Sequence, residues 1–130
     1  MIDSIITDKA PQPIGPYSQA TISNGFIFCS GQVGVDPQTN LLVAGIEAQS
    51  HQVMKNLGAV LEVAESEFEH VVKETIYLVD VTDFPKVNEV YASYFSDNKP
   101  TRATVEVSKL PQGTQKISPL VEIELIAVKA

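Results

Sequence analysis

The chain has 130 residues, a hydrophobic fraction of 44% and a mean hydropathy of +0.06, which is ordinary for a soluble globular protein. Sixteen acidic residues against nine Lys and Arg give a formal net charge of −7. Nucleic-acid binding depends on clusters of Lys and Arg, so this charge argues against nucleic acid as a partner. No apolar run approaches the ~20 residues that a membrane helix needs, so no membrane partner is expected.

Length and cysteine content predict one domain in a reducing compartment. A chain of this size can bury one real core, so residues 1–130 are expected to form a single domain. Cys29 is the only cysteine, which excludes an internal disulfide. The first residues lack the basic region of a signal peptide, so a cytoplasmic protein is expected. The two histidines are isolated and do not predict a metal site.

The chain begins with a candidate strand, residues 3–7, and a stiff loop. Residues 9–16 contain three prolines and a glycine, which impose an extended conformation on the loop. Tyr17 follows directly. Its ring could pack under the loop with the hydroxyl in water, or the stiff backbone could aim the hydroxyl into a pocket. The residues alone leave both interpretations open.

A hairpin is predicted next, because Asn24-Gly25 lies between two apolar runs and is a strong signal for a tight turn. Gly31 comes at the end of the second run. A glycine in a strand allows the backbone to approach a ligand or a neighbouring strand closely. Residues 36–40 have the composition of a turn.

Two helices and a buried strand follow. Apolar residues at helical spacing predict a long helix from Ile46 to Ala64. Residues 71–81 are mostly apolar and β-branched, which indicates a well-buried strand. A second helix is predicted to start near Asp83 and to run to about Phe95. Asn88 falls at the edge of its apolar stripe, where a solvent-facing side chain is the usual outcome.

The stretch from Pro100 to Leu125 contains two runs that alternate apolar and polar residues, which is typical of strands. In the first run one face carries Ala103, Val105 and Val107, and the other carries Arg102, Thr104, Glu106 and Ser108. In the second run Glu122 and Glu124 oppose Val121, Ile123 and Leu125. We expect the two strands to pair antiparallel, which would place Arg102 beside the glutamates on one polar surface. The order of elements predicts an α+β fold of two layers.

An arginine beside a glutamate on such a surface could bind a small acid and activate water. The guanidinium fork can take a planar carboxylate in two parallel hydrogen bonds, and the glutamate can hold or deprotonate a water molecule. These are the groups needed to hydrolyse a bond attached to a small acid. The alternative is an exposed cross-strand salt bridge, which contributes only ~0 to 1 kcal/mol to stability.

Four landmarks resemble one known family in the same order along the chain. They are Ile14-Gly15-Pro16-Tyr17-Ser18-Gln19, Ser30-Gly31-Gln32, Asn88, and Pro100-Thr101-Arg102-Ala103-Thr104-Val105 with the later Leu110-Pro111 and Val121-Glu122-Ile123-Glu124. Together they resemble the reactive intermediate deaminase family, also called the enamine/imine deaminase, RidA or YjgF-type family. The resemblance covers essentially the whole chain.

The resemblance implies a six-stranded mixed sheet with two helices on one face, the chorismate-mutase-like fold. It also implies a homotrimer with sites in clefts between subunits. The implied activity is hydrolysis of short-lived 2-imino acids to 2-keto acids and ammonia, without a cofactor or metal. Arg102 would clamp the substrate carboxylate and Glu122 would activate water, whereas Tyr17, Gly31, Asn88 and Thr104 would line the substrate site. Glu124 shares a strand face with Glu122, so only the family register favours Glu122.

Two other functions remain open. A trimeric protein could bind small keto or hydroxy acids through Arg102 without turning them over, and Glu122 would then serve no purpose. Some family members are credited with RNA cleavage, which the acidic charge and the absence of a histidine near Arg102 disfavour. The chain also departs from the family pattern. Thr104 stands where well-known members have cysteine, residues 112–119 form a longer loop, and the loop before Arg102 is shorter than in some members.

Overall fold

The computed structural model describes residues 1–130, in which two helices pack on one face of a six-stranded sheet. The elements in chain order are β1 (Asp3–Ile5), β2 (Ala20–Ser23), β3 (Phe26–Val33), β4 (Val35–Asp36), β5 (Leu41–Leu42), α1 (Ile46–Val63), β6 (Val71–Leu78), α2 (Phe84–Ala92), β7 (Thr101–Glu106) and β8 (Val121–Val128). Single 3₁₀ turns precede β6 and α2. Neither helix is long and apolar enough to cross a membrane.

The strand order in the large sheet is β1-β2-β3-β8-β6-β7. All neighbours are antiparallel except β6 and β7, which are parallel. The short strands β4 and β5 pair with each other outside this sheet. The predicted α+β fold, with a mixed six-stranded sheet and two helices on one face, is therefore confirmed.

Local sequence explains most boundaries. Asn24 and Gly25 have φ values of 52° and 80°, so both adopt the left-handed conformation that a tight two-residue hairpin requires. Helix α1 matches the predicted span to within one residue. Helix α2 starts directly after Asp83, which makes no side-chain capping bond, and has Pro85 in its first turn. It ends at Ala92, before the predicted end near Phe95.

The core lies between the helices and the sheet. Alternate residues of β8 are buried and face the helices, which defines the helix-covered face of the sheet; these residues are Val121, Ile123, Leu125 and Ala127. The remaining β8 side chains, including Glu122 and Glu124, lie on the opposite side, the open face. Large apolar side chains on the open face are exposed: Phe26 by 43%, Phe28 by 44% and Val105 by 42%.

The predicted pairing of the last two strands is wrong. Strand β7 lies at the sheet edge and pairs only with β6, in parallel, whereas β8 lies between β3 and β6. The chain between β7 and β8 therefore crosses β6 and does not form a hairpin. Local alternation predicts that a segment is a strand, but it does not specify which strand pairs with it.

The expected orientation of β7 is also wrong. Arg102 is in register with Glu74, and Thr104 with Ile76, both of which are buried on the helix-covered face. The polar side of β7 therefore faces the helices, and the apolar side with Val105 is on the open face. As a result, Arg102 and Glu122 lie on opposite faces of the sheet within one chain.

Candidate active site

Arg102 is held by helix α2. Its Nη1 donates a hydrogen bond of 2.8 Å to Oδ1 of Asn88. Its guanidinium carbon lies 4.9 Å from the ring centroid of Tyr91 and 5.3 Å from that of Phe84, at distances typical of cation–π contacts. We call Arg102, Asn88, Tyr91 and Phe84 the arginine cluster. Because the planar group is stacked and bonded at only one nitrogen, its other N–H donors remain available to a carboxylate.

The arginine cluster borders a surface cleft between α2 and the segment that leads into β7. Lys99 and Pro100 line this cleft together with Arg102 and Asn88. Thr104 lies on the same face of β7 as Arg102, two residues further along the strand. The structure thus joins Arg102 and Asn88 directly and places Thr104 on the same face of the edge strand.

A second group of predicted residues lies elsewhere, around Gly31. The register of β3 against β8 shifts between Cys29 and Gln32, so Gly31 sits in an irregularity of the ladder. An added Cβ on Gly31 would lie only 2.8 Å from Cδ of Glu122. The missing side chain therefore makes room for the Glu122 carboxyl group. We call Gly31 and Glu122, together with Tyr17, which lines a cleft with Gly31, the glutamate cluster.

Tyr17 and Gly31 line a common cleft with the loop at residues 111–115. The backbone before Tyr17 is fixed by Gln19, which is 2% exposed. The Gln19 side chain accepts a hydrogen bond of 2.7 Å from the Thr7 amide and donates one of 2.9 Å to the Pro11 carbonyl. Gln19, which directly precedes β2, thereby holds the proline-rich loop in place. Tyr17 follows this loop and is 51% exposed.

The carboxyl groups of Glu122 and Glu124 both lie on the open face of β8. Partial burial raises the pKa of Glu122, and the negative charge of Glu124 raises it further. Glu124 differs in its surroundings, because its Oε1 accepts a hydrogen bond of 2.8 Å from the Tyr77 hydroxyl. That bond is the main cause of the raised pKa of Tyr77. Glu122 has no such hydrogen bond and lies against Gly31, so its carboxylate can still accept a proton.

The predicted site residues thus form two clusters on opposite faces of one sheet. Within one chain, the sheet itself separates Arg102 from Glu122. The sequence did not predict that Tyr91 stacks on Arg102. Sequence reasoning also missed Glu74, a carboxyl group in the buried strand β6. A charged residue inside an apolar, β-branched run was the available signal.

Replacing Gly31 with alanine is expected to leave the fold intact. It should lower kcat/KM for the hydrolysis of 2-imino acids, the activity that the family resemblance implies, by about 100-fold. The added methyl would occupy the space of the Glu122 carboxyl group, which can swing away because it is the end of a flexible side chain. A displacement of about 1 Å at a reacting group is enough for such a loss. Steady-state kinetics together with circular dichroism would measure both properties.

The matched control is Gly58→Ala in α1, whose methyl would meet the Phe68 ring at 3.2 Å, away from both clusters. It is expected to retain full activity. An active Gly31→Ala protein would contradict the assignment of Gly31 and Glu122 to one site.

Comparison with known proteins shows which family the chain is similar to. Residues 7–129 match the family model described as Endoribonuclease L-PSP. A RutC family protein of Pyrococcus horikoshii is 48% identical over 130 residues, covering 99% of each chain. The human protein named 2-iminobutanoate/2-iminopropanoate deaminase is 44% identical over 126 residues, covering 96% of this chain and 88% of the human one.

Among solved structures, a Rid family protein of unknown function from Yersinia pestis matches with a TM-score of 0.93 and 44% identity. The match covers 98% of this chain and 99% of that one. Sequence and structure agree along essentially the full length. The chain therefore belongs to the Rid family, also called YjgF/RidA, which is the family that its motifs resemble.

Proposed function

We propose that this protein hydrolyses reactive 2-imino acids to 2-keto acids and ammonia. Water adds to the imine carbon, the C–N bond then breaks, and the departing nitrogen leaves as ammonia after taking up protons. The imine carbon is already electrophilic, so the reaction needs no cofactor. Because such imines also hydrolyse unaided, positioning and proton transfer by the protein suffice.

The observation that carries this proposal is the arginine cluster. A guanidinium that is stacked on two rings and oriented by Asn88 is prepared to bind a small carboxylate in a fixed orientation. The human relative's name specifies substrates of this class, since 2-iminobutanoate and 2-iminopropanoate are small imino acids with one carboxylate. We propose that Thr104 also lines the site. Its hydroxyl stands where well-known family members have the thiol of a cysteine.

In this mechanism Glu122 holds the attacking water and passes its proton to the amine. Glu122 must come from a second copy of the chain, because the sheet separates it from Arg102 of its own chain. The exposed Phe26, Phe28 and Val105 on the open face support burial of this face against other subunits. We propose a homotrimer in which the arginine cluster of one subunit meets the glutamate cluster of its neighbour.

An imine-trapping assay tests the activity. A dehydratase acting on serine or threonine generates the imine in place, and semicarbazide traps what has not been hydrolysed. We expect the wild-type protein to suppress the semicarbazide adduct. Unchanged adduct formation with excess protein would exclude the proposed hydrolysis.

A binding or regulatory protein for small keto acids is the alternative that the same arginine cluster supports. It would show saturable binding of 2-oxobutanoate with no effect on the imine. RNA cleavage, which the description of the family model suggests, is less consistent with this chain. The net charge of −7 disfavours binding of an RNA backbone. The ring of His51 is already hydrogen-bonded to the Tyr94 hydroxyl at 3.0 Å, away from Arg102.

A further inference from the structure

Strand β6 places a carboxyl group in the protein core directly beside Arg102. Glu74 is 1% exposed, and both of its carboxylate oxygens are inaccessible to solvent. The Tyr91 hydroxyl lies near them but is not in hydrogen-bond geometry. It is in register with Arg102 on β7 and with Leu125 on β8, so it lies on the helix-covered face beneath the arginine cluster. A buried carboxyl group that accepts no well-formed hydrogen bond is costly when ionised, so its presence in the core calls for an explanation.

The groups around Glu74 come from each packed element. Helix α2 contributes the Tyr91 hydroxyl, β7 contributes Arg102 and β3 contributes the Cys29 thiol. The β8 neighbour Leu125 is apolar, and none of the buried side chains of α1 is ionisable. Burial raises the pKa of Glu74 to about 7, and the nearby Tyr91 hydroxyl and Arg102 charge limit the rise. Burial, and then the charge of Glu74, raise the pKa of Cys29 to about 12.

We infer that Glu74 is a positioning residue that sets how strongly Arg102 binds an anion. When Glu74 carries a proton, the guanidinium is free to pair with the ligand carboxylate. When Glu74 is ionised, its charge competes with the ligand for the same cation and repels the incoming carboxylate. This inference rests on the proposed function only in that Arg102 binds the carboxylate, and it does not depend on turnover.

Linkage gives the direction of the effect. An anion bound at Arg102 disfavours the ionised form of Glu74 and raises its pKa further. Binding must therefore take up protons near neutral pH, and affinity must fall as the pH rises through the pKa of Glu74. A carboxyl group that only filled space in the core would produce neither effect.

The test is calorimetric titration of the wild-type protein with 2-oxobutanoate, the stable keto-acid product, between pH 6 and pH 9. We expect affinity to fall about tenfold across this range through the loss of anion attraction. Buffers with small and large ionisation enthalpies should report the uptake of roughly half a proton per site near pH 7.5. Glu74→Gln mimics the protonated form of Glu74. It should bind 2-oxobutanoate with an affinity that hardly changes with pH, and it should take up far fewer protons.

Glu89→Gln is the matched control, because it removes one charge from an exposed position on α2 that pairs only with Lys86. It should keep the wild-type pH dependence. If Glu74→Gln is unstable, Glu74→Met carries the same test with an uncharged chain of similar shape. The inference is overturned if the wild type binds without proton uptake, or if the Glu74 variants retain the wild-type pH dependence. Absence of binding by the wild type at every pH would instead refute the pairing of Arg102 with a carboxylate, and with it both proposals.

Discussion

Arg102→Ala is expected to reduce kcat/KM for 2-imino acids by about 100-fold or more, because the substrate loses both its charge partner and its orientation. Arg102 contributes little to the core, since it is exposed at the edge strand β7. The variant should therefore still fold, and it should lose both catalysis and anion binding. The trapping assay and the calorimetric titration would measure the two losses separately.

Arg102→Lys should recover only part of the lost activity, because an ammonium group keeps the charge but not the planar fork that stacks on Tyr91 and Phe84. Lys86→Gln removes a positive charge from the exposed side of α2 and should behave as the wild type. Full activity of Arg102→Ala would remove the central residue of the proposed mechanism.

Glu122→Gln is expected to lower kcat by about 100-fold or more, which is the usual contribution of a positioned general base. The water-activating form of Glu122 is the carboxylate. Its raised pKa therefore predicts activity that increases with pH as Glu122 ionises. In the Gln variant this acidic limb of the pH profile should disappear.

Glu124→Gln provides the discriminating comparison. It removes the charge that helps to raise the pKa of Glu122, so the acidic limb should move to lower pH while activity persists. The Tyr77 hydroxyl would lose its carboxylate acceptor, without a direct effect on the reaction. Loss of activity in Glu124→Gln with retention in Glu122→Gln would reverse the assignment of the two glutamates.

Local patterns were sufficient for much of the fold. The Asn24-Gly25 turn and the apolar stripe of α1 depend on neighbours a few residues away, and the structure confirms both. The partner of β7 depends on contacts across the whole chain, so alternation alone predicted the wrong neighbour. The same limitation reversed the faces of β7. Its apolar side is on the open face, where a single chain offers nothing to cover it.

The candidate site was predictable in its members but not in its arrangement. The motif resemblance selected Arg102 and Asn88, which the structure joins by a hydrogen bond. It also selected Gly31 and Glu122, which the structure places in contact. No local pattern could show that the two pairs lie on opposite faces of the sheet. Glu74 belongs to no motif, and its significance depends on burial and on its register with Arg102.

The central claim is that one active site uses Arg102 from one subunit and Glu122 from another. The most direct measurement mixes equal amounts of the Arg102→Ala and Glu122→Gln proteins, unfolds them, refolds them together and assays imine hydrolysis. Each variant and the wild type, refolded alone, provide the references. If subunits assemble at random in a closed ring, about a quarter of the interfaces regain both intact residues. The account predicts recovery of about that fraction of wild-type activity. Activity no higher than that of either variant alone, in a mixture shown to contain hybrid oligomers, would contradict it.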